Sequence, residues 1–471
     1  MKRLITLLLG AALLCGAVSP ASAATIEAKG EWAFDFSWTD GMNYRSADNG
    51  GDSEDDFAAH QRLRTQIDII ASESLRGVVF LEMGTTTWGQ EDGALGADGK
   101  SVKVRRSYID WTVPNTELKV RMGLQGMDLP GATFGASPIL SDEDVAALVL
   151  SYTVSENVGL TAFWARPYDT SAGETADSNS FDEVDVFGLT APVTLDGVSV
   201  TPYLVYASVG KDADGSGDRY NTDSWDTFVD GMQSLGQRTG MTGDDTTANH
   251  AWWGGVALEL SLFDPFAVKM DATYGRKDAD EDYATREGWL VSAMVEYKME
   301  AATPGVFAWY GSGEDDDIDN GSERMPSISP NAWAPTSFGF PGSSFNQDGQ
   351  FALNGAGLWG IGVQVADISF VENLSHLVRV AYMRGTNDAD LVKHTSGLAD
   401  ELAPASGAVF LTDKDSAWEV NFDHTYQIYE NLTFILEMGY IRLDLDEDVW
   451  GAAGEDLSAA KKLTFNLVYE F

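Results

Sequence analysis

Leu463, Phe465, Leu467, Tyr469 and Phe471 fall on one side of a two-residue period at the end of the chain. Thr464, Asn466 and Glu470 fall on the other side, with Val468 the one exception. This alternation predicts a β-strand with one apolar face that runs to the last residue and stops on an aromatic. Chain ends ordinarily fray. The last strand of a closed barrel does not, because it pairs with the first.

The same alternation recurs upstream as hairpins, joined in turn by a short connection and a long polar one. Four short turns share a signature: Ser72-Glu73-Ser74-Leu75, Ser155-Glu156-Asn157-Val158, Val371-Glu372-Asn373-Leu374 and Tyr429-Glu430-Asn431-Leu432. Pro114 to Glu117, Asp196-Gly197, Phe263-Asp264-Pro265 and Thr303-Pro304-Gly305 supply the chemistry of other tight turns. Strands are predicted near 25–38, 58–72, 75–88, 101–113, 116–125, 144–155, 158–168, 181–193, 197–209, 250–263, 266–277, 286–300, 303–312, 356–370, 374–386, 415–428, 431–443 and 459–471. The fold class is therefore all-β: a transmembrane antiparallel up-and-down barrel of about eighteen strands, or sixteen if one marginal pair is misread. An even count returns both termini to the periplasmic side. Short turns then lie inside, and the long connections 39–57, 126–143, 210–249, 313–355 and 387–414 lie outside. Trp32, Trp38, Trp88, Trp111, Trp164, Tyr203, Tyr206, Tyr297, Trp309, Tyr310, Tyr440 and Phe471 stand towards strand ends, where interfacial girdles would put them.

Compartment comes from the N-terminus. Lys2 and Arg3, the apolar run Leu4 to Val18 and the small-residue site Ala21-Ser22-Ala23 read as a signal peptide over 1–23 for Sec export. One barrel domain then occupies 24–471. Cys15, the one cysteine, leaves with the signal, so no disulfide or thiolate metal site is expected. Removing Lys2 and Arg3 leaves 28 of the 30 basic residues against 73 acidic ones, a net charge of −45. That sign excludes a nucleic-acid partner.

Four segments carry a family likeness: Ile26-Glu27-Ala28-Lys29-Gly30-Glu31-Trp32, Arg62-Leu63-Arg64-Thr65-Gln66, Arg105-Arg106-Ser107-Tyr108-Ile109-Asp110-Trp111 and Lys119-Val120-Arg121-Met122-Gly123. With them the chain resembles the outer-membrane homotrimeric porins of sulfate-reducing, Desulfovibrio-type bacteria. The resemblance is strongest in the first 170 or so residues and weak in the long loops. It implies a trimeric, water-filled channel for passive diffusion of ions and small hydrophilic solutes, and it carries over no site residue. The setting it implies is the outer membrane, with its lipid and lipopolysaccharide. Phe471, a terminal aromatic with a free carboxylate, looks like the assembly signal that such barrels present to the barrel-assembly machinery and its periplasmic chaperones.

Basic residues crowd the front of the chain: residues 24–125 hold 11 and 126–471 hold 17. Leu63, Thr65, Ile67 and Ile69 share one strand face, which leaves Arg62, Arg64, Gln66 and Asp68 on the other. Lys119, Arg121 and Gln125 stand opposite Leu118, Val120, Met122 and Leu124, and Arg106, Tyr108 and Asp110 stand opposite Ile109 and Trp111. An arginine facing lipid at mid-membrane costs about 2–4 kcal/mol, so Arg62, Arg64, Arg106, Lys119 and Arg121 are expected to line the lumen. Lys103 and Arg105 fall with Ile109 and Trp111 on the outer side, which makes the first strands candidates for a subunit contact. The stretch Met127 to Pro138 is apolar enough in its middle to fold inwards, and Asp142-Glu143-Asp144 follow it as an acidic end. The expected site is a constriction between that basic wall and Asp128, Asp142, Glu143 and Asp144, with a transverse field across it.

Acidic clusters such as Glu314 to Asp317 with Asp319, Asp388-Ala389-Asp390 and Asp444 to Asp448 follow other strands. Alternating carboxylates suit Ca²⁺ or Mg²⁺, and Asp212, Asp214 and Asp218 form the most Ca²⁺-like spacing, off the EF-hand pattern. Two alternatives to a general pore remain. One is a channel specific for a sugar or an organic anion, with the aromatic-rich 309–359 stretch as a stacking surface. The other is an outer-membrane hydrolase. The five histidines, His60, His250, His376, His394 and His424, occur without a Gly-x-Ser-x-Gly elbow or a His-Glu-x-x-His motif, which argues against an enzyme.

Overall fold

The structure is a computed structural model. It describes residues 24–42, 44, 56–96, 101–169, 183–210, 213, 222–241, 249–330, 333–336, 355–402, 410–455 and 457–471. The signal-peptide region and Asp212, Asp214 and Asp218 lie outside these residues.

Eighteen strands form one closed antiparallel barrel. They are β1 (Thr25–Asp40), β2 (Asp56–Ser72), β3 (Leu75–Thr87), β4 (Val102–Thr112), β5 (Leu118–Met127), β6 (Glu143–Ser155), β7 (Val158–Asp169), β8 (Glu183–Thr190), β9 (Val198–Val209), β10 (Asn249–Phe263), β11 (Phe266–Asp278), β12 (Arg286–Tyr297), β13 (Thr303–Gly311), β14 (Leu358–Val371), β15 (Leu374–Gly385), β16 (Ser416–Tyr429), β17 (Leu432–Asp444) and β18 (Ala460–Glu470). A short piece, Val193–Leu195, continues β8 beyond Pro192. Each strand pairs with its sequence neighbours, and β18 pairs with β1 from Glu31↔Glu470 to Asp40↔Lys461. The count is thus eighteen and not sixteen.

The barrel is inside out relative to a water-soluble protein. Its outward positions are apolar and open: Met122, Leu204, Val306 and Val363 are all at least half exposed. Inward positions include polar side chains that are closed off, with Glu419, Thr464 and Asn466 at 0 %. A belt of outward aromatic pairs follows the long-loop end: Trp38–Phe57, Phe187–Tyr206, Trp252–Tyr274, Trp289–Tyr310 and Tyr382–Trp418, with ring centroids 4.7 to 6.4 Å apart. Two residues expected in the girdle are not there. Tyr203 and Trp309 point inwards and are buried. Each lies over a glycine of the next strand, Gly255 and Gly360, where a Cβ would come within 2.3 and 2.2 Å of the ring. Glycine leaves the inner wall flat enough for a large ring to cover it.

Loops also fill part of the lumen. Phe228, Met232, Met325, Trp333, Leu391, Leu411 and Trp450 form one apolar cluster with the inward faces of β10, β12, β13, β15 and β17, through Trp253, Leu290, Phe307, Met383 and Ile441. Among the described residues, that cluster leaves Arg76 on β3 and Arg121 on β5 with 37 % and 39 % of their side-chain surface, while Arg62 and Asp68 on β2 are buried. Space therefore opens beside Arg76 and Arg121.

Candidate functional site: a charged wall beside an inward loop

The loop after β5 crosses the lumen, as its apolar middle led us to expect. Its neck is closed by Leu129 N–H donating to the Leu140 carbonyl (3.0 Å) and by Asp142 N–H donating to Asp128 Oδ1 (2.6 Å). The Ile139 carbonyl accepts from Ile328 and Ser329 N–H, and Leu140–Ser141 runs parallel to Ser329–Pro330. At the tip, Phe134 meets Phe307, Trp309 and Trp333 edge-on, 5.3 to 6.3 Å between centroids.

Opposite the loop stand the predicted cations. Arg121 donates twice to Asp110, at 2.6 and 3.0 Å, with its guanidinium 4.5 Å from the Tyr108 ring centre. Arg76 on β3 donates to the same carboxylate at 2.5 Å and stands 3.7 Å from Asp68. Arg64 donates to Glu82 at 2.8 Å and lies 3.9 Å from Glu31. Arg62 is buried behind it, 3.8 Å from Glu31. Most of these cations therefore find acids on their own wall. Glu31, Glu82 and Arg76 escaped the sequence reading, although each alternates with apolar outward neighbours as the recognised residues do.

Arg105 corrects an expectation. In a regular strand it would face outwards with Ile109. Between the pairs Phe80↔Arg106 and Leu81↔Val104 the register shifts by one residue, a β-bulge at Arg105. A bulge reverses the alternation beyond it. Arg105 thus joins Arg106 on one carboxylate: both Nε atoms lie 2.5 Å from Asp144, and Arg105 is also 3.4 Å from Glu82. Lys103, paired with Glu82 across the bulge, moves to the inner parity too. The proposed outer patch of Lys103 and Arg105 does not exist in this structure.

These ion pairs replace missing ladder bonds. The β4–β5 ladder ends at Ser107↔Leu124 and the β6–β7 ladder at Ala147↔Ala165, while β5 and β6 stay paired to Met127↔Glu143. The end of the β5–β6 hairpin is thus free of both neighbouring strands. Asp144 ties it back to β4 through the two arginines.

The four predicted acids separate. Asp144 meets the wall directly. Asp142 and the pair Arg64 and Arg106 line one cavity of about 470 Å³. Asp128 shares a second cavity, about 870 Å³, with Arg76, Asp110, Lys119 and Arg121. Glu143 turns away and accepts the Ser329 hydroxyl at 2.6 Å. The arrangement sets charge of both signs along these two cavities. His60 is 3.4 Å from Asp35, to which Thr464 also donates.

The acidic clusters serve the backbone. Asp315, Asp317, Asp388 and Asp446 each accept the N–H two residues ahead, at 2.8 to 3.0 Å. Asp388 and Asp446 thereby cap the short helices Ala389–His394 and Glu447–Trp450. Among the described residues, no group of three or more His, Cys, Asp or Glu side chains is arranged to hold a metal ion.

No family model matches this chain, and no curated protein does. Its structure is similar to those of OccAB3 from Acinetobacter baumannii (TM-score 0.54, 12 % identity, 94 % of this chain and 99 % of that one) and OpdL from Pseudomonas aeruginosa (0.53, 12 %, 95 % and 98 %). The outer membrane protein OprD from Pseudomonas aeruginosa is a third match (0.51, 13 %, 96 % of each chain). At such identities the likeness concerns the fold: a closed eighteen-stranded barrel with a similar course of chain.

Proposed function

We propose that this protein is an outer-membrane porin that passes ions and small hydrophilic solutes along the charged wall of β2 to β5. One observation carries the reading. At mid-wall, Asp271, Ser292, Glu419 and Asn421 on β11, β12 and β16 are closed off, while Arg64, Arg76, Arg106, Lys119 and Arg121 line open cavities beside the inward loop. A transverse field between this wall and Asp128, Asp142 and Asp144 would orient dipolar solutes and resist large or singly charged ones. The apolar outer band and its aromatic belt support a membrane setting.

The same reading includes Sec export, recognition of Phe471 by the barrel-assembly machinery and its chaperones, and contact with outer-membrane lipid and lipopolysaccharide. Short turns face the periplasm. The resemblance to the porins of sulfate-reducing bacteria supports a homotrimer. A channel specific for a sugar or an organic anion is a second reading, supported by the likeness to OpdL and OccAB3; of its aromatic stretch, Trp309 and Trp333 are buried under Phe134, and Phe338, Phe340, Phe345 and Phe351 lie outside the described residues. Divalent ions on the loops have the acidic composition behind them, but the carboxylate geometry serves caps.

Planar-bilayer recording of the purified protein tests the proposal. Stepwise ohmic conductance in groups of three, with a reversal potential altered by replacing Lys119 and Arg121 with Ala, is the expected result. A folded protein with no conductance would sink it.

A further inference from the structure

One carboxylate makes two of the hydrogen bonds that fasten the inward loop at its far end. Asp271, at the middle of β11, is 5 % exposed. Its Oδ1 accepts the Ala132 N–H at 2.8 Å and its Oδ2 accepts the Thr133 N–H at 2.7 Å. Ser292 Oγ lies 3.4 Å from Oδ2. The loop tip is a compact unit, since a side chain at Gly131 would meet the Ala136 carbonyl at 2.0 Å. The bonds at its neck involve Leu129, Leu140, Asp128 and Asp142, none of which touches Asp271. Phe134 adds apolar contacts at the tip, and Ser137 shares a hydrogen bond with Tyr203 on β9. Apolar contacts keep the loop inside but are non-directional, and one hydroxyl pair alone does not fix how the tip stands against the arginine wall. Two parallel N–H bonds to a carboxylate do, because their geometry is narrow and the acceptor is charged.

We propose that Asp271 is a positioning residue that sets the aperture between the inward loop and the β2–β5 wall. The inference deepens the channel reading and rests on it. An amide at this place keeps the volume but has one acceptor oxygen, and its NH₂ would face an N–H donor. Asp271→Asn therefore loses at least one of the two bonds.

Hydrogen exchange and conductance test this independently. In Asp271→Asn, with folding confirmed by heat-modifiable gel mobility, the Ala132 and Thr133 amides should exchange about tenfold faster or more, the least that a bond to a charged acceptor contributes. Conductance should rise and fluctuate, and larger polyethylene glycols should enter. A folded variant with wild-type exchange at both amides and an unchanged size cut-off overturns the proposal. If the wild-type barrel conducts nothing, the channel reading fails while the exchange arm still decides the latch. A second variant covers misfolding. Thr133→Cys with Asp271→Cys joins loop and wall covalently when oxidised, and the mature chain is expected to hold no other cysteine. Oxidation should give the small, quiet pore and reduction the large one; identical pores in both redox states overturn the proposal.

Discussion

Gly30 and Phe471 exchange both backbone hydrogen bonds, Gly30 N–H to the Phe471 carbonyl at 2.9 Å and Phe471 N–H to the Gly30 carbonyl at 3.0 Å. The final residue is thus part of the seam between β18 and β1. The approach is close: a Cβ on Gly30 would lie 2.2 Å from the Arg64 carbonyl and 2.9 Å from the Phe471 ring. Gly30→Val should therefore strain the seam by about 1–3 kcal/mol, the usual range for overpacking. The expected outcome is less folded, heat-modifiable protein at equal expression. Deleting Phe471 should lower the assembled yield much further while channels that do form keep their conductance.

Asp110 holds Arg76 and Arg121 together, and replacing it by Asn would leave two neighbouring guanidinium groups with a single acid, Asp68, near one of them. The lumen beside Lys119 then becomes more positive. Chloride permeability relative to potassium should rise about two- to threefold at 0.1 M salt and less at 1 M, where the Debye length falls to about 3 Å. An unchanged reversal potential at low salt would show that permeating ions do not pass this wall.

How much of this was legible beforehand depends on the range of the interaction. The eighteen strands follow from period-two alternation, a local property, and from turns such as Glu430-Asn431. Arg62, Arg64, Arg106, Lys119 and Arg121 follow from the same parity. Parity fails at Arg105 because one inserted residue reverses it, yet the warning was present: two cations, Lys103 and Arg105, would otherwise have stood in the apolar band with Ile109. Tyr203 and Trp309 were misplaced by position along the strand alone, although their neighbours Leu204 and Tyr310 claim the outward face. Asp271 was not legible at all. Its partners are 138 and 139 residues away, and nothing in Met270-Asp271-Ala272 distinguishes a loop latch from an ordinary lumen carboxylate.

The recurring Asp-x-Asp pairs are best tested as caps. Asp446 accepts the Asp448 N–H at 2.9 Å, and its carbonyl receives Val449 and Trp450. Trp450 in turn donates to the buried Asp415, which also holds Thr412 and the Asp446 N–H. Asp446→Ala should destabilise this loop layer by about 1 kcal/mol, the usual value of an N-cap. Exchange at Val449 and Trp450 should report it. Chelation by EDTA should change the same amides less than the substitution does. The reverse order would reinstate bound divalent ions.

A last prediction concerns pH. Glu323 and Glu314 lie in the long loop after β13, beyond the strands. Burial pushes the Glu323 carboxyl up from 4.5 to about 7, with Glu314 and Asp315 adding like charge. Burial raises Glu314 as well, opposed by Arg324, Arg286 and the Ser322 hydroxyl, which donates to it at 2.7 Å. Both groups hold protons more tightly in the packed loop than in an opened one. Packing is therefore favoured most below the ordinary carboxylate range and weakens as pH rises through about 7. Glu323 also accepts the Asp315 N–H at 3.0 Å, so the loop loosens first around Asp315 and Glu323. Amide exchange over 312–328, corrected for its intrinsic pH dependence, should be faster at pH 8 than at pH 5.5. Glu323→Gln keeps an acceptor for Asp315 and removes the titration, so most of that difference should vanish. If the variant retains the full pH dependence, Glu323 is not the group that couples protons to this loop.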